Sequence, residues 1–460
     1  MPKNKQADGV AQGDAPQTKL RELLADLRSG ALPLLSYVDQ LQVHFERREP
    51  GVRAFVEEEG RFERLREDAE ALQRRYPEPE MRPPLFGAAL GVKDIFHVDG
   101  MQTRAGSTLP VEALQGHEGA VVTAFKKAGA LILGKTVTTE FAYFAPGPTR
   151  NPHHPAHTPG GSSSGSAAAV GAGLCPLALG TQTIGSVNRP AAFCGVVGLK
   201  PSYERISRAG VIPLSPSLDH VGLFTTDIFS MTLAASLVLG NWQPPARRER
   251  AVLAVPQGPY LQRASREGLA HFEATCSALA RAGFEVKEVR AFDDFEAIEV
   301  RHMALMSAEA ARVHDAWFSK YDHLYHAKTA ALLTRGAMVS AADVVAAREA
   351  RLTLRRQLLD LMNAEQFDLW ITPAAPGVAP AGLESTGDPV MNLPWTQSGL
   401  PSLTIPSGYN EQGLPFGLQV VGPWHGDELL LVQAQEIATV LNGSKRGAEP
   451  VKPETRRGGE

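Results

Sequence analysis

The sequence predicts an α/β fold, helices layered on a sheet, and three observations carry that expectation. Twice a helical pattern ends in glycine and runs straight into a short β-rich segment: Ala120 to Ala128, Gly129, then Ala130 to Leu133; and Leu269 to Ala282, Gly283, then Phe284 to Val289. Leu, Val and Ala are spread over all 460 residues, enough chain for a large core in one domain or in two to three fused ones. No period of about 20 to 50 residues recurs, which excludes a solenoid.

Along the chain, Met1 to Gln17 is polar and lacks an apolar run, so it reads as a loose tail rather than a secretory signal or membrane anchor. From Leu20 the apolar residues fall at Leu20, Leu23, Leu24 and Leu27, the stripe of an amphipathic helix, closed by Gly30. Helical patterning continues to about Arg75. Pro77, Pro79, Pro83 and Pro84 then separate this N-terminal helical region, residues 18–80, from the rest of the chain. Further strands are expected at Ala251 to Val255 and at Phe367 to Ile371, the second after a helix from Ala342 to Met362. Pro244 to Arg250, polar and Arg-rich, is a linker or a loop. Gly443 to Glu460, charged and Gly/Pro-containing, is expected to be a flexible tail.

Composition narrows the function classes. With 46 Lys and Arg against 50 Asp and Glu the net charge is −4, so nothing draws the chain to a polyanion and no nucleic-acid partner is expected. The three cysteines, Cys175, Cys194 and Cys276, lie far apart, which argues against a disulfide framework and for a cytoplasmic protein. Between Arg150 and Arg189 there is no Asp, Glu, Lys or Arg. The Ser, Thr, Gly and Pro content of that stretch is too polar for the roughly 20 apolar residues of a bilayer span, so no membrane association is expected. It implies instead a buried segment whose hydroxyls and amides find internal partners, and it is the first pointer to a site.

Several chemistries can be weighed there. Gly161-Ser162-Ser163-Ser164-Gly165 fits a G-x-S-x-G elbow, but the Pro-rich run from Asn151 to Pro159 before it cannot be the hydrophobic strand that motif needs. His153, His154 and His157 sit among Pro152, Pro155 and Pro159, which break the helix that would align two of them, so no metal is expected. Cys194, flanked by apolar residues, reads as a buried small residue rather than a nucleophile. The Gly/Ser-rich stretch from Gly160 to Gly185 lacks the spacing and the Lys of a phosphate loop. There remains Lys93 in the apolar run Gly91-Val92-Lys93-Asp94-Ile95-Phe96, with two serine-bearing glycine loops at Ser162 and Ser186. A lysine in a dry pocket has its pKa lowered and becomes a general base able to activate a serine. Read alone, such a lysine is more often a surface residue beside a strand.

The run Gly160-Gly161-Ser162-Ser163-Ser164-Gly165-Ser166 and the run Gly180-Thr181-Gln182-Thr183-Ile184-Gly185-Ser186-Val187-Asn188-Arg189-Pro190 through Pro201 closely resemble the amidase signature family of serine hydrolases. The resemblance extends to Gly91 to Asp94, to Gly134-Lys135 with Glu140-Phe141-Ala142, and to Gly413-Leu414-Pro415 with Gly417-Leu418-Gln419, so it spans roughly residues 20 to 442. It implies one large α/β/α domain, residues 85–442, with a mixed twisted sheet covered by helices and the N-terminal helical region packed on it. It also implies a Ser-cisSer-Lys triad: Ser186 as nucleophile, Ser162 as bridging serine and Lys93 as base, the two serines standing the family's 24 residues apart. The backbone N–H groups of Thr183, Ile184, Gly185 and Ser186 match the family's oxyanion loop, and neither a metal nor an organic cofactor is implied.

The activity implied is hydrolysis of an amide, anilide or carbamate C–N bond through an acyl-enzyme on Ser186. A small-molecule substrate is the expected partner, and a homodimer is left open. Tyr143, Phe144, Trp317 and Trp395 are candidate pocket walls. Two departures stand out. Ile184 occupies a place where the family has glycine, which would reshape the oxyanion loop or narrow the acyl pocket. Gln182 and Asn188 replace an Asp and an Arg, with Arg189 one place later, read as a joint replacement by amide chemistry. Two other functions stay open: the amidase component of a tRNA-dependent glutamine amidotransferase, and a catalytically impaired binding homologue.

Overall fold

The computed structural model describes residues 20–243 and 249–446. The expected N-terminal tail therefore lies outside the described residues, as do 244–248 of the Arg-rich stretch and 447–460 of the expected C-terminal tail. The first residues of that tail are helical: helix Asp427–Arg446 runs through Gly443, anchored by the buried Leu430, Leu431, Ala434, Ile437, Ala438 and Leu441. One glycine costs a helix about 1 kcal/mol, too little to stop one held by six buried side chains.

Ten strands form a single mixed sheet. They are β1 Ala89–Lys93, β2 Leu131–Thr136, β3 Leu177–Gln182, β4 Val197–Lys200, β5 His220–Thr225, β6 Leu253–Gln257, β7 Val286–Arg290, β8 Leu369–Pro373, β9 Ser402–Tyr409 and β10 Pro415–Val421. The order across the sheet is β2-β1-β3-β5-β4-β9-β10-β8-β6-β7. Parallel wings, β2-β1-β3 and β8-β6-β7, flank an antiparallel centre. The wings are the helix-then-strand alternations visible in the sequence, with helix Ala120–Lys127 before β2 and helix Arg266–Arg281 before β7. Most of the strands of the centre escape a sequence reading. Their glycines, Gly198, Gly222, Gly408 and Gly417, and their burial on both faces leave no polar alternation to recognise.

Helix Arg61–Arg75 packs on β2, Leu34–Val52 packs on that helix, and Leu20–Ser29 lies against helix Ile228–Val238, with Leu20, Leu23, Leu24 and Leu27 all buried. The segment between Leu34–Val52 and Arg61–Arg75 pairs with β2 through Val56 N–H to the carbonyl of Lys135 (2.8 Å) and Val137 N–H to that of Ala54 (2.9 Å). Arg61 and Arg64 donate to the carbonyls of Leu133 and Ile132 on the same outer edge. Among the described residues no single helix is long and apolar enough to cross a membrane.

Topology places the site. From β1 the chain crosses to β2 on one side and returns to β3 on the other, so the connections diverge between β1 and β3. In such sheets ligands bind beyond the C-terminal ends of the strands at that divergence. Lys93 ends β1, and Thr183 to Ser186 come directly after β3. Between them lies helix Ser164–Gly171, drawn tight against β2 because Gly165 has no side chain: a methyl there would run into the carbonyl of Ala54 and the backbone of Val137. Gly165→Ala should therefore lower stability by roughly 1–3 kcal/mol. A shift of the denaturant midpoint checks it, and an unchanged midpoint would show that the helix has room to move.

Candidate active site

Lys93 is fully buried, so its amine must find all its partners inside the protein. It has three: the hydroxyls of Ser162 at 2.7 Å, Thr181 at 2.8 Å and Ser163 at 3.0 Å. Burial drives its pKa well below the ordinary lysine value, opposed by the negative charge of Asp219. Three hydroxyl acceptors suit an ammonium. A neutral amine has only two hydrogens and one lone pair, so one hydroxyl must turn and donate to it. Ser163 already gives its hydrogen to the carbonyl of Thr181 (3.2 Å), which leaves Ser162 well placed for that exchange.

The Gly161–Ser162 peptide bond is cis. The carbonyl of Ser162 accepts the N–H of Thr139 (3.2 Å), that of Gly161 accepts the Arg189 guanidinium (2.6 Å), and that of Gly160 accepts the hydroxyl of Ser164 (2.8 Å). The uncharged stretch thus buries many of its polar atoms by giving them internal partners. Ser166, for example, donates to the carbonyl of Leu179 at 2.7 Å.

Ser186 stands in the loop between β3 and helix Asn188–Cys194, 8% exposed. Its hydroxyl makes no hydrogen bond among the described residues. The structure therefore joins Lys93 to Ser162 but does not join Ser162 to Ser186. The loop before Ser186 is fixed at every step. Thr183 gives its hydroxyl to Asp219 (2.6 Å), and its carbonyl lies 3.1 Å from Nε2 of His302. The carbonyl of Ile184 accepts the hydroxyl of Thr396 (2.6 Å), while Gln182 Oε1 accepts the N–H groups of Val187 and Asn188 (2.8 and 2.9 Å). Gly185 presses on the Asn392 carboxamide, where a Cβ would clash. The N–H groups of Ile184, Gly185 and Ser186 find no acceptor among the described residues, so they remain available to an oxyanion.

Ile184 keeps φ outside the left-handed region, so a β-branched residue sits here without backbone strain. Its side chain forms one wall of a small cavity at Ser186, with room for about one water, together with Tyr143, Phe144, Arg189, Leu214 and Met306. Trp317 and Trp395 are not part of that wall. Trp395 is wholly buried, its indole N–H bonded to Tyr260 (3.0 Å), and Trp317 stacks on Phe141. Both rings serve packing, the commoner fate of a large aromatic side chain.

Gln182 and Asn188 do not pair through their side chains. Gln182 holds the backbone of the next turn and donates to Thr396 (2.9 Å), while Asn188 bonds Thr404 and Ser402. Arg189 is 1% exposed, and its described hydrogen bonds go only to Gly161 and Thr386. Its Nε and Nη1 have no partner among the described residues. Burial lowers its pKa to about 10, opposed by the charge of Asp388, so it stays charged at neutral pH. Sequence reasoning passed over Thr181, Asp219, His302 and Thr396, and Ser163 figured there only as the centre of the discounted elbow. Asp219, His302 and Thr396 lie more than thirty residues from the glycine loops. The sequence-visible histidines are bound elsewhere: His153 to the carbonyl of Cys194 and His157 to that of Ala379. Cys194 is a buried thiol, its pKa pushed up by burial.

The sequence model of the family described as Amidase matches residues 38–431. The chain belongs to the amidase signature family. Among curated relatives, the A subunit of the glutamyl-tRNA(Gln) amidotransferase of Synechococcus sp. (strain RCC307) is 32% identical, over 88% of this chain and 93% of its own. Its namesake from Thermus thermophilus is also 32% identical, over 89% and 94%. A solved amidase superposes with a TM-score of 0.82 at 30% identity, over 93% of this chain and 99% of its own. A peptide amidase bound to chymostatin superposes with a TM-score of 0.78 at 26% identity, over 95% and 99%.

This amidase-family site carries two expectations. Amide hydrolysis that needs a neutral Lys93 is lost as pH falls through its lowered pKa and is complete above it. Lys93→Ala should cost roughly 10²–10⁴-fold in kcat/KM at pH 7, and less toward pH 10, where hydroxide replaces the base. A mutant-to-parent ratio that stays flat with pH would remove Lys93 from that role. Ile184→Gly should favour longer acyl groups by roughly 1–3 kcal/mol without moving the pH profile, measured on short-acyl and long-acyl anilides.

Proposed function

We propose that the protein is an amidohydrolase that cleaves the C–N bond of a linear amide, anilide or carbamate through an acyl-enzyme on Ser186. The observation that carries this reading is the 2.7 Å hydrogen bond from a fully buried lysine to Ser162, at the end of the strand beside the loop that bears Ser186. As Ser186 Oγ bonds to the substrate carbonyl carbon, its proton passes to Ser162 Oγ, and the proton of Ser162 passes to Lys93 Nζ. The carbonyl electrons move onto oxygen, beside the free N–H groups of the 184–186 loop. Collapse expels the nitrogen, which takes a proton back through Ser162. Water then repeats the sequence on the acyl-enzyme.

Arg189 narrows the substrate. A buried guanidinium with two unpartnered nitrogens is costly, and a ligand anion removes that cost. The acyl part is therefore small and carries a negative charge toward Arg189. The bulkier part has the adjoining cavity of about 260 Å³, walled by Ile95, Val211, Ile212 and Leu214.

The likeness to amidotransferase A subunits favours a second reading, in which the same chemistry releases ammonia within a complex. Turnover by the purified chain without ATP or tRNA supports the hydrolase, and turnover only with added partners supports the amidotransferase role. Ser186→Ala should abolish turnover. Arg189→Leu also unpairs the Gly161 carbonyl and should slow both substrates, but should lower kcat/KM for an anilide with a carboxylate in its acyl group by roughly tenfold or more beyond the loss on the neutral analogue. Equal losses on both would remove the anion from the substrate.

A further inference from the structure

Asp219 precedes β5, where the antiparallel register pairs Gln182 with His220 and so sets Asp219 opposite Thr183. It is buried, and both of its oxygens are engaged. Oδ1 accepts the hydroxyl of Thr183 (2.6 Å), and Oδ2 accepts the N–H groups of Leu214 and Ser215, each at 2.9 Å. Asp219 and Thr181 line the same cavity, and Thr181 is one of the three hydroxyls on Lys93. Of the other charged or titratable groups around it, Arg208 faces it directly and its charge favours the anion, and the rest are committed elsewhere. Arg208 donates to the backbone carbonyl of Asp219 (3.3 Å) and pairs with Glu204. Glu309 takes Ser215, Ser217 and Arg348. His220 and His302 are buried and held neutral, the second with its pKa near 4. On the Lys93 side, Asp94 is paired with Lys135 at 2.7 Å.

We infer that Asp219 is the positioning carboxylate of this site: it holds Thr183, the first residue of the oxyanion loop, and serves as counter-charge to the Lys93 ammonium formed as Ser186 attacks. The role rests on the triad reading above. The balance of the step supports it. Attack creates an oxyanion and an ammonium together from neutral partners, in a buried volume, and Asp219 is the carboxylate on the wall of the cavity shared with Thr181, a hydroxyl partner of Lys93. Burial holds the Asp219 carboxyl up at about 6, so the anion is present from pH 7 upward and fades as pH falls below that value.

The test reads the rate at which a fluorophosphonate labels Ser186 as a function of pH, which needs no knowledge of the substrate. Asp219→Asn removes the charge and keeps one acceptor oxygen for Thr183, with its Nδ2 turned toward the N–H groups of Leu214 and Ser215. Its labelling should be about tenfold slower on the alkaline plateau, and its acid limb should lie about one pH unit lower, because the amine is no longer biased toward its protonated form. Thr183→Val cuts the tether and weakens the hold on the Asp219 anion: it should slow the plateau and move the limb down by less than Asp219→Asn does. A limb that stays put in Asp219→Asn reduces Asp219 to a structural acceptor and overturns the inference. So does a limb that moves up in Thr183→Val, or a plateau that it leaves unslowed, which also decides the matter if Asp219→Asn does not fold. Labelling that persists in Ser186→Ala sinks the triad itself, a different failure from an unmoved limb.

Discussion

An amine sealed from water at the end of a strand has to find a partner for every hydrogen, and Lys93 finds three hydroxyls. Much else at the site depends on that requirement. Ser162 and Ser163 belong to one loop and Thr181 to a strand, so supplying them together fixes the loop between Gly160 and Ser164 against the end of β3. The absence of charged side chains from Asn151 to Asn188 has the same origin: a fixed charge among these buried hydroxyls would itself need a partner and would perturb the amine.

The loop that bears Ser186 is rigid for a related reason. Its carbonyls and side chains point outward into bonds with Thr396, His302, Asp219 and Asn188, which leaves its N–H groups free to face an oxyanion. Donors held in place before the reaction cost no reorganisation when charge develops. The replacements at Gln182 and Asn188 preserve this arrangement by a different route. The carboxamide of Gln182 binds the backbone of the following turn, so an uncharged residue orders the loop on its own.

Much of this is legible in the sequence, and the limits have a physical pattern. The N-terminal stripe of leucines and the two helix-glycine-strand alternations are local signals, and both stand where the sequence puts them. The central antiparallel strands are not local. Each of β4, β5, β9 and β10 carries a glycine and is largely buried, and their existence depends on neighbours far away in the chain. At the site, the motif-bearing residues lie in two compact loops and are visible at once. Asp219 arrives from the approach to β5 by the register of the sheet, and His302 from helix Phe295–Tyr321 by the packing of that helix on the loop. Trp317 and Trp395 are conspicuous for their size, which speaks of burial and not of a cavity wall.

The bonds that Arg61, Arg64 and the 54–56 segment make to β2 have a consequence for how the chain behaves as a solute. An uncapped strand at the rim of a sheet is a template for another chain, since its unpaired amides and carbonyls accept any extended segment that arrives. Here those groups are already engaged within the molecule. The N-terminal helices thus act as a stopper on the sheet. A fragment trimmed to begin after the proline cluster would keep every residue of the loops that bear Ser162 and Ser186 and yet present a sticky rim, growing by strand addition rather than remaining dispersed.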